Sequence, residues 1–186
     1  IGLPAEHEAP DLLPKAVYGL VELRRDEFKK DVRIVGNAGC FAVASILGLA
    51  PAVKYKLVDF GSIVCDAKSG VSGAGKTPNP SFHYPARYEQ MNAYRLSGHQ
   101  HVCEIEQELA RLAGTEIVLT FTPQVVPACR GILACLYGTL VGGISLSNAM
   151  DAYKVFHKDN QFVRVLDRDA AVGTMEVRGG NYCNLV

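Results

Sequence analysis

The stretch Val32-Arg33-Ile34-Val35-Gly36-Asn37-Ala38-Gly39-Cys40-Phe41, followed by small and aliphatic residues as far as Pro51, decides how this chain is read. Its β-branched opening predicts a strand, the glycine-flanked turn ends that strand, and residues 41–50 predict a helix that Pro51 stops. Cys40 therefore stands at or just before the first turn of a helix. Unpaired N–H groups and the helix dipole favour negative charge there, so the position is expected to populate a thiolate. Two readings stand side by side at this point: a nucleophile whose small neighbours admit a substrate carbonyl, or a structural cysteine leading into a core helix.

Working outward, Ser62–Ala67 predicts a buried strand that opens into a glycine- and proline-rich loop over 68–80. Val102, Ile105, Leu109 and Leu112 recur at helical spacing, with Gly114 as the stop. Strands are expected over 116–122, 131–141, 162–166 and 175–177, and Ser147 is expected to cap a helix carrying Met150, Tyr153, Val155 and Phe156 on or near one side. Residues 1–20, with Pro4, Pro10 and Pro14, read as irregular. Strand and helix alternate without a strict β-α-β rhythm. The expected class is α/β (α+β), with helices packed on a mixed, antiparallel-rich sheet.

Composition removes several function classes. The 186 residues are 48% hydrophobic and 20% charged, which suits one globular domain. Nineteen basic residues balance nineteen acidic ones, so no net field draws the chain to nucleic acid or to an anionic membrane. The longest apolar run, 38–53, is shorter than the ~20 residues a bilayer span needs. Six cysteines without a Cys-x-x-Cys pair match no zinc module, and a reduced, cytoplasmic setting is expected. The start Ile1-Gly2-Leu3 has no methionine, which suggests a piece of a longer protein.

Three further segments carry chemistry. In Gly98-His99-Gln100-His101-Val102-Cys103 two histidines precede the amphipathic helix, where either one suits general acid–base work. A metal set of His99, His101 and Cys103 is the competing reading, weakened because no fourth ligand follows at a usual spacing. Helix capping by both histidines is the third. Asp66-Ala67-Lys68-Ser69-Gly70-Val71-Ser72-Gly73-Ala74-Gly75 brings backbone amides close to a phosphate or a flat ring, although its glycine order is not the dinucleotide fingerprint. Arg130 suits a carboxylate or phosphate, or else a structural ion pair.

Taken together these segments resemble the N-acetyl-gamma-glutamyl-phosphate reductase family. The residues that carry the likeness are Glu6-His7, Ala16-Val17-Tyr18-Gly19-Leu20, Asn37-Ala38-Gly39-Cys40-Phe41, Asp66 through Gly75, and Gly98-His99-Gln100-His101 with Glu104-Ile105-Glu106-Gln107. Phe121-Thr122-Pro123, Val126-Pro127, Arg130-Gly131 and Arg178-Gly179-Gly180-Asn181-Tyr182-Cys183 complete it. The resemblance implies an enzyme of arginine biosynthesis, cytoplasmic and dimeric or tetrameric, that uses NADPH to reduce an acyl phosphate through a cysteine thioester.

It also implies that residues 1–186 are the catalytic and dimerisation domain, with the Rossmann NADP-binding domain largely absent, so that the isolated domain has no activity of its own. Cys40 would be the nucleophile and His101 the base. His99, Arg130 and Asn37 would hold substrate, Ser69 and Gly70 would lie against the cofactor, and no metal takes part. The chain departs from the family pattern at Val21, Ala38, Val43, Cys103, Gln124, Cys129, Met175 and Gly180. Those departures keep open a related acyl phosphate as substrate, and the expected lack of the Rossmann half keeps open a module that only dimerises.

Overall fold

A computed structural model describes residues 7–186, so Pro4, Glu6 and the Ile1-Gly2-Leu3 start lie outside the described residues. In chain order the elements are β1 (Ala16–Tyr18), α1 (Val21–Arg24), β2 (Ile34–Gly36), α2 (Cys40–Lys54), β3 (Val64–Ser69), α3 (Tyr84–Arg87) and β4 (Asn92–Ala93). They continue with α4 (Gln100–Ala113), β5 (Thr120–Val125), β6 (Ile132–Tyr137), α5 (Leu146–His157), β7 (Val163–Val165) and β8 (Cys183–Leu185). The main sheet runs β4-β5-β3-β6. β3 and β5 are parallel, whereas β4–β5 and β3–β6 are antiparallel, which gives the expected mixed, antiparallel-rich sheet. Two small parallel pairs, β1–β2 and β7–β8, stand apart from it.

The organising element is α2. A helix that is apolar on every side has to be buried on every side. This one packs against α4, β6 and α5, with Phe41, Ile46 and Val53 in the core beside Ile105 and Leu109 of α4. The sheet supplies the opposite wall: Cys65 and Ala67 of β3 and Phe121 of β5 point inward, while Val64, Asp66 and Lys68 alternate outward. α4 buries one stripe only. It includes Glu108, 1% exposed, whose carboxylate takes both Nε and Nη2 of Arg24 at 2.9 and 2.6 Å. A buried charge persists only with such a partner. Gly114 ends α4 in the left-handed region, φ 71°, as expected.

Four expectations need correction. Pro51 does not stop α2, which continues to Lys54. Proline removes the N–H that would reach the Leu47 carbonyl, and here the buried His157 ring takes that place, Nε2 to Leu47 O at 3.1 Å. The cap of α5 is Ser145 rather than Ser147, with its Oγ accepting from the Asn148 N–H. Residues 175–177 are not a strand. They begin a turn closed by Arg178 N–H to Met175 O and by Gly179 at φ 78°, and the last strand is β8. Part of the supposedly irregular start, β1, pairs with β2.

Candidate active site

Strand β2 delivers the chain to Gly39, the extended N-cap of α2, and Cys40 is the first helical residue, with its side chain exposed. The structural reading of Cys40, a thiol shut in the core, does not hold. Cys65 fits that description: it is fully buried against Ser45 Oγ at 3.0 Å, and burial pushes its thiol up to about 11. All six cysteines are free.

Gly39 is glycine because of a close approach. Its φ of −65° suits any residue, yet a β-carbon there would lie 2.3 Å from His101 Nε2, 2.5 Å from His101 Cδ2 and 2.7 Å from Glu104 Oε2. The first-turn N–H groups of a helix have no intrahelical acceptor, so partners come from elsewhere. The Gly39 N–H just ahead of that turn donates to Glu104 Oε1 at 2.9 Å, and the Tyr18 hydroxyl donates to the same oxygen at 2.7 Å. Thus β1, α2 and α4 meet at one carboxylate, directly behind the cysteine.

The two histidines behave differently. His99 caps α4, its Nδ1 accepting the His101 backbone N–H at 3.1 Å, and that bond assigns the neutral ring's proton to Nε2. The ring is 6% exposed and packs edge-on among Phe41, Tyr94 and Phe121. Burial first, then the neighbouring His101 and Arg95, push it down to about 4. His101 stands beside Gly39 with Nδ1 buried and without a hydrogen-bond partner among the described residues. Burial lowers its proton affinity, the Glu104 carboxylate opposes that shift, and Arg95 adds to it. Both rings are therefore neutral near pH 7, the form in which imidazole accepts a proton. The alternative ligand set of His99, His101 and Cys103 is not assembled: no metal-holding group of three or more such side chains occurs among the described residues.

On its open side Cys40 lines a cavity of about 560 Å³ together with Ser69, Ser72, Gly73 and Gly131, and the far end reaches Leu136 and Tyr153. That volume suits a small organic ligand. The glycine loop forms its wall because three backbone hydrogen bonds tie it to residues 128–131. They run from Gly70 N to Gly131 O at 3.0 Å, Val71 N to Ala128 O at 2.9 Å and Ser72 N to Cys129 O at 3.0 Å. Gly70 is buried behind Ser69, where a β-carbon would sit 2.8 Å from Arg130 N and 2.9 Å from Ala128 O.

The fold thus brings Cys40 and Ser69 to one cavity and sets Arg130, exposed, on the segment that backs the loop. His99, His101, Asn37, Gly70 and Arg130 do not line the cavity. His101 reaches Gly39 and His99 packs on Phe41, the two residues that flank Cys40 in sequence, and the exposed Asn37 uses its amide to donate to Ala38 O at 3.3 Å.

Sequence reasoning assigned no role to Glu104 or Tyr18. A signal for Glu104 existed, because three residues after His101 on one helix puts both on the same face. For Tyr18 there was none, since 86 residues separate it from the carboxylate it meets.

Residues 40–186 match the family model described as the semialdehyde dehydrogenase dimerisation domain. The chain is 44% identical over 179 residues to the N-acetyl-gamma-glutamyl-phosphate reductase of Syntrophobacter fumaroxidans, covering 96% of this chain and 52% of that protein. It is also 44% identical over 181 residues to the N-acetyl-gamma-glutamyl-phosphate reductase of Acetivibrio thermocellus, covering 97% and 52%. The chain spans about half the length of the curated relatives it matches. Among solved structures it resembles aspartate semialdehyde dehydrogenase II from Vibrio cholerae, with TM-score 0.66 and 14% identity, covering 92% of this chain and 57% of that one. A second is the aspartate semialdehyde dehydrogenase from Francisella tularensis, with TM-score 0.69 and 12% identity, covering 91% and 60%. At such identities the structural likeness concerns the fold alone.

Proposed function

Because this chain belongs to the semialdehyde dehydrogenase dimerisation-domain family, we propose that it is the catalytic and dimerisation domain of an enzyme that reduces N-acetyl-gamma-glutamyl phosphate to N-acetylglutamate 5-semialdehyde. The observation that carries this reading is Cys40: an exposed thiol on the first residue of a buried helix, open to a cavity in front and backed by His101 and Glu104. A nucleophile needs access, an adjacent base and a group that orients the base. The 44% identity to named reductases supports the choice of substrate.

In this mechanism neutral His101 takes the Cys40 proton and the sulfur attacks the acyl carbon. A C–S bond forms, the C–O bond to phosphate breaks, and the leaving phosphate receives the proton from His101. The product of this half is a thioester on Cys40. A cavity walled by Ser69, Ser72 and Gly73 opposite the sulfur fits a flat ring, so those residues would hold a nicotinamide cofactor, NADPH in our reading. What such a cofactor supplies when bound is the hydride that the thioester carbon accepts. The resulting oxyanion re-forms the carbonyl and expels the Cys40 thiolate, which takes a proton from water to restore the thiol as the aldehyde leaves. Arg130 and Asn37, both exposed, would bind the substrate's anionic and amide groups, whereas His99, buried among Phe41, Tyr94 and Phe121, would serve as the cap of α4. The complete enzyme needs a nucleotide-binding Rossmann domain besides these residues and works as a cytoplasmic homodimer or homotetramer.

Competitive iodoacetamide labelling tests the premise on this chain. Cys129 is also exposed, so accessibility alone predicts similar rates for the two thiols. The nucleophile reading predicts that Cys40 is alkylated about tenfold faster, with Cys65 and Cys183 the slowest. Equal rates at Cys40 and Cys129 would count against it. In the polypeptide that carries the nucleotide-binding half as well, Cys40→Ser abolishes aldehyde formation, and retained turnover would end the proposal.

A further inference from the structure

We propose that Tyr18 is a positioning residue: its hydroxyl locks the Glu104 carboxylate so that one oxygen fixes the N-cap of the nucleophile helix while the other faces His101. This inference rests on the catalytic reading of Cys40 and His101. Three observations carry it. Tyr18 Oη donates to Glu104 Oε1 at 2.7 Å, and the Gly39 N–H donates to that same oxygen at 2.9 Å. Glu104 Oε2 lies on the same side of Gly39 as His101 Nε2, both of them within reach of the single point where a β-carbon would stand.

A free carboxylate on a helix surface rotates about its last torsion. Two donors on one oxygen stop that rotation, and the second oxygen is then aimed by default. Burial first, and then Glu104, keep the tyrosine protonated, so it remains a donor throughout the working pH range. The charged and titratable groups facing this cluster are Arg24 and Glu108 behind Tyr18, and Arg95 and His99 around His101, with Tyr94 between His99 and Cys40.

A contact of this kind could be mere packing between β1 and α4. Tyr18→Phe keeps the ring and deletes only the hydroxyl, so a packing role leaves chemistry untouched. If Tyr18 positions Glu104, two readouts move. By NMR on this chain, the His101 ring titrates at lower pH in Tyr18→Phe than in wild type, because the opposing carboxylate is no longer held beside it. It titrates lower still in Glu104→Gln.

In the complete polypeptide, kcat falls about tenfold in Tyr18→Phe while KM stays within twofold. The Tyr18→Phe/Glu104→Gln double variant is no slower than Glu104→Gln alone, since Tyr18 has nothing left to position. An unmoved His101 titration, or losses that multiply in the double variant, would overturn the proposal. If wild type itself shows no turnover, the reductase reading fails, and the NMR comparison still decides the clamp.

Discussion

Acidifying the protein from pH 7 to pH 4 should destabilise it, by up to roughly 3 kcal/mol, through His99 alone. In the unfolded chain this imidazole takes a proton near its ordinary value of 6.5, whereas the buried, folded ring holds out to about 4. Above 6.5 the group is neutral in both states and makes no difference. Between 6.5 and 4 the unfolded state binds the extra proton, so stability present at neutral pH drains away as pH falls through this window. A gap from 6.5 to about 4, at about 1.4 kcal/mol per unit, gives an upper bound of roughly 3 kcal/mol. With 6% of the residue exposed, solvent screening takes little from that figure.

Urea denaturation at steps between pH 7 and pH 4 measures the effect, with His99→Asn as the comparison. Asparagine keeps an acceptor at the N-cap of α4 for the His101 N–H but cannot titrate. The variant starts from lower stability because ring packing on Phe41 and Phe121 is lost. What matters is the slope: wild type should lose more than His99→Asn across the window, by up to about 3 kcal/mol. Carboxylates and the remote His157 titrate in both proteins and cancel in the difference. Parallel pH profiles would refute the buried, neutral His99 on which the site's electrostatics rest.

The Pro51 gap in α2 gives a second test. His157→Phe leaves the Leu47 carbonyl and the Asn160 amide without their ring partner, at a cost of about 1–3 kcal/mol for each group in urea unfolding. In a Pro51→Ala background the restored N–H reaches Leu47 O, so the same His157→Phe change should cost measurably less; an unchanged cost would show that the ring only fills space. Gly70→Ala tests the cavity wall. Its φ of −68° is permissive, so the clash with the 128–131 backbone is the sole penalty, about 1–3 kcal/mol. Hydrogen exchange at the Val71 and Ser72 amides should quicken, and unaltered protection there would show that the loop tolerates the methyl group.

How far the sequence could be read depends on how local each signal is. Gly39-Cys40 at a strand-to-helix junction is a signal ten residues long, and the structure puts the cysteine at the first helical position. α4 announced itself through its apolar spacing and Gly114 in the same way. Pro51 misled because its local meaning, a helix stop, is overridden by His157, which lies more than a hundred residues away and accepts the burden of the freed carbonyl. Met175–Val177 has strand-like composition, but it pairs with no strand among the described residues, and Gly179 turns the chain instead.

The same distinction separates the parts of the site. Cys40, His99, His101 and the glycine loop are each legible because their neighbours in sequence betray them. The carboxylate that joins the cysteine's helix to the histidine's helix, and the tyrosine that holds it, are not. Glu104 reads as one more polar residue on an amphipathic helix, and Tyr18 as one aromatic residue in a proline-rich start. Only the fold makes them partners. Groups that present chemistry must be reached by substrate and so sit in glycine-rich local motifs, while groups that aim them need only be near in space. A sequence therefore shows the reacting atoms of such a site sooner than the scaffold that orients them.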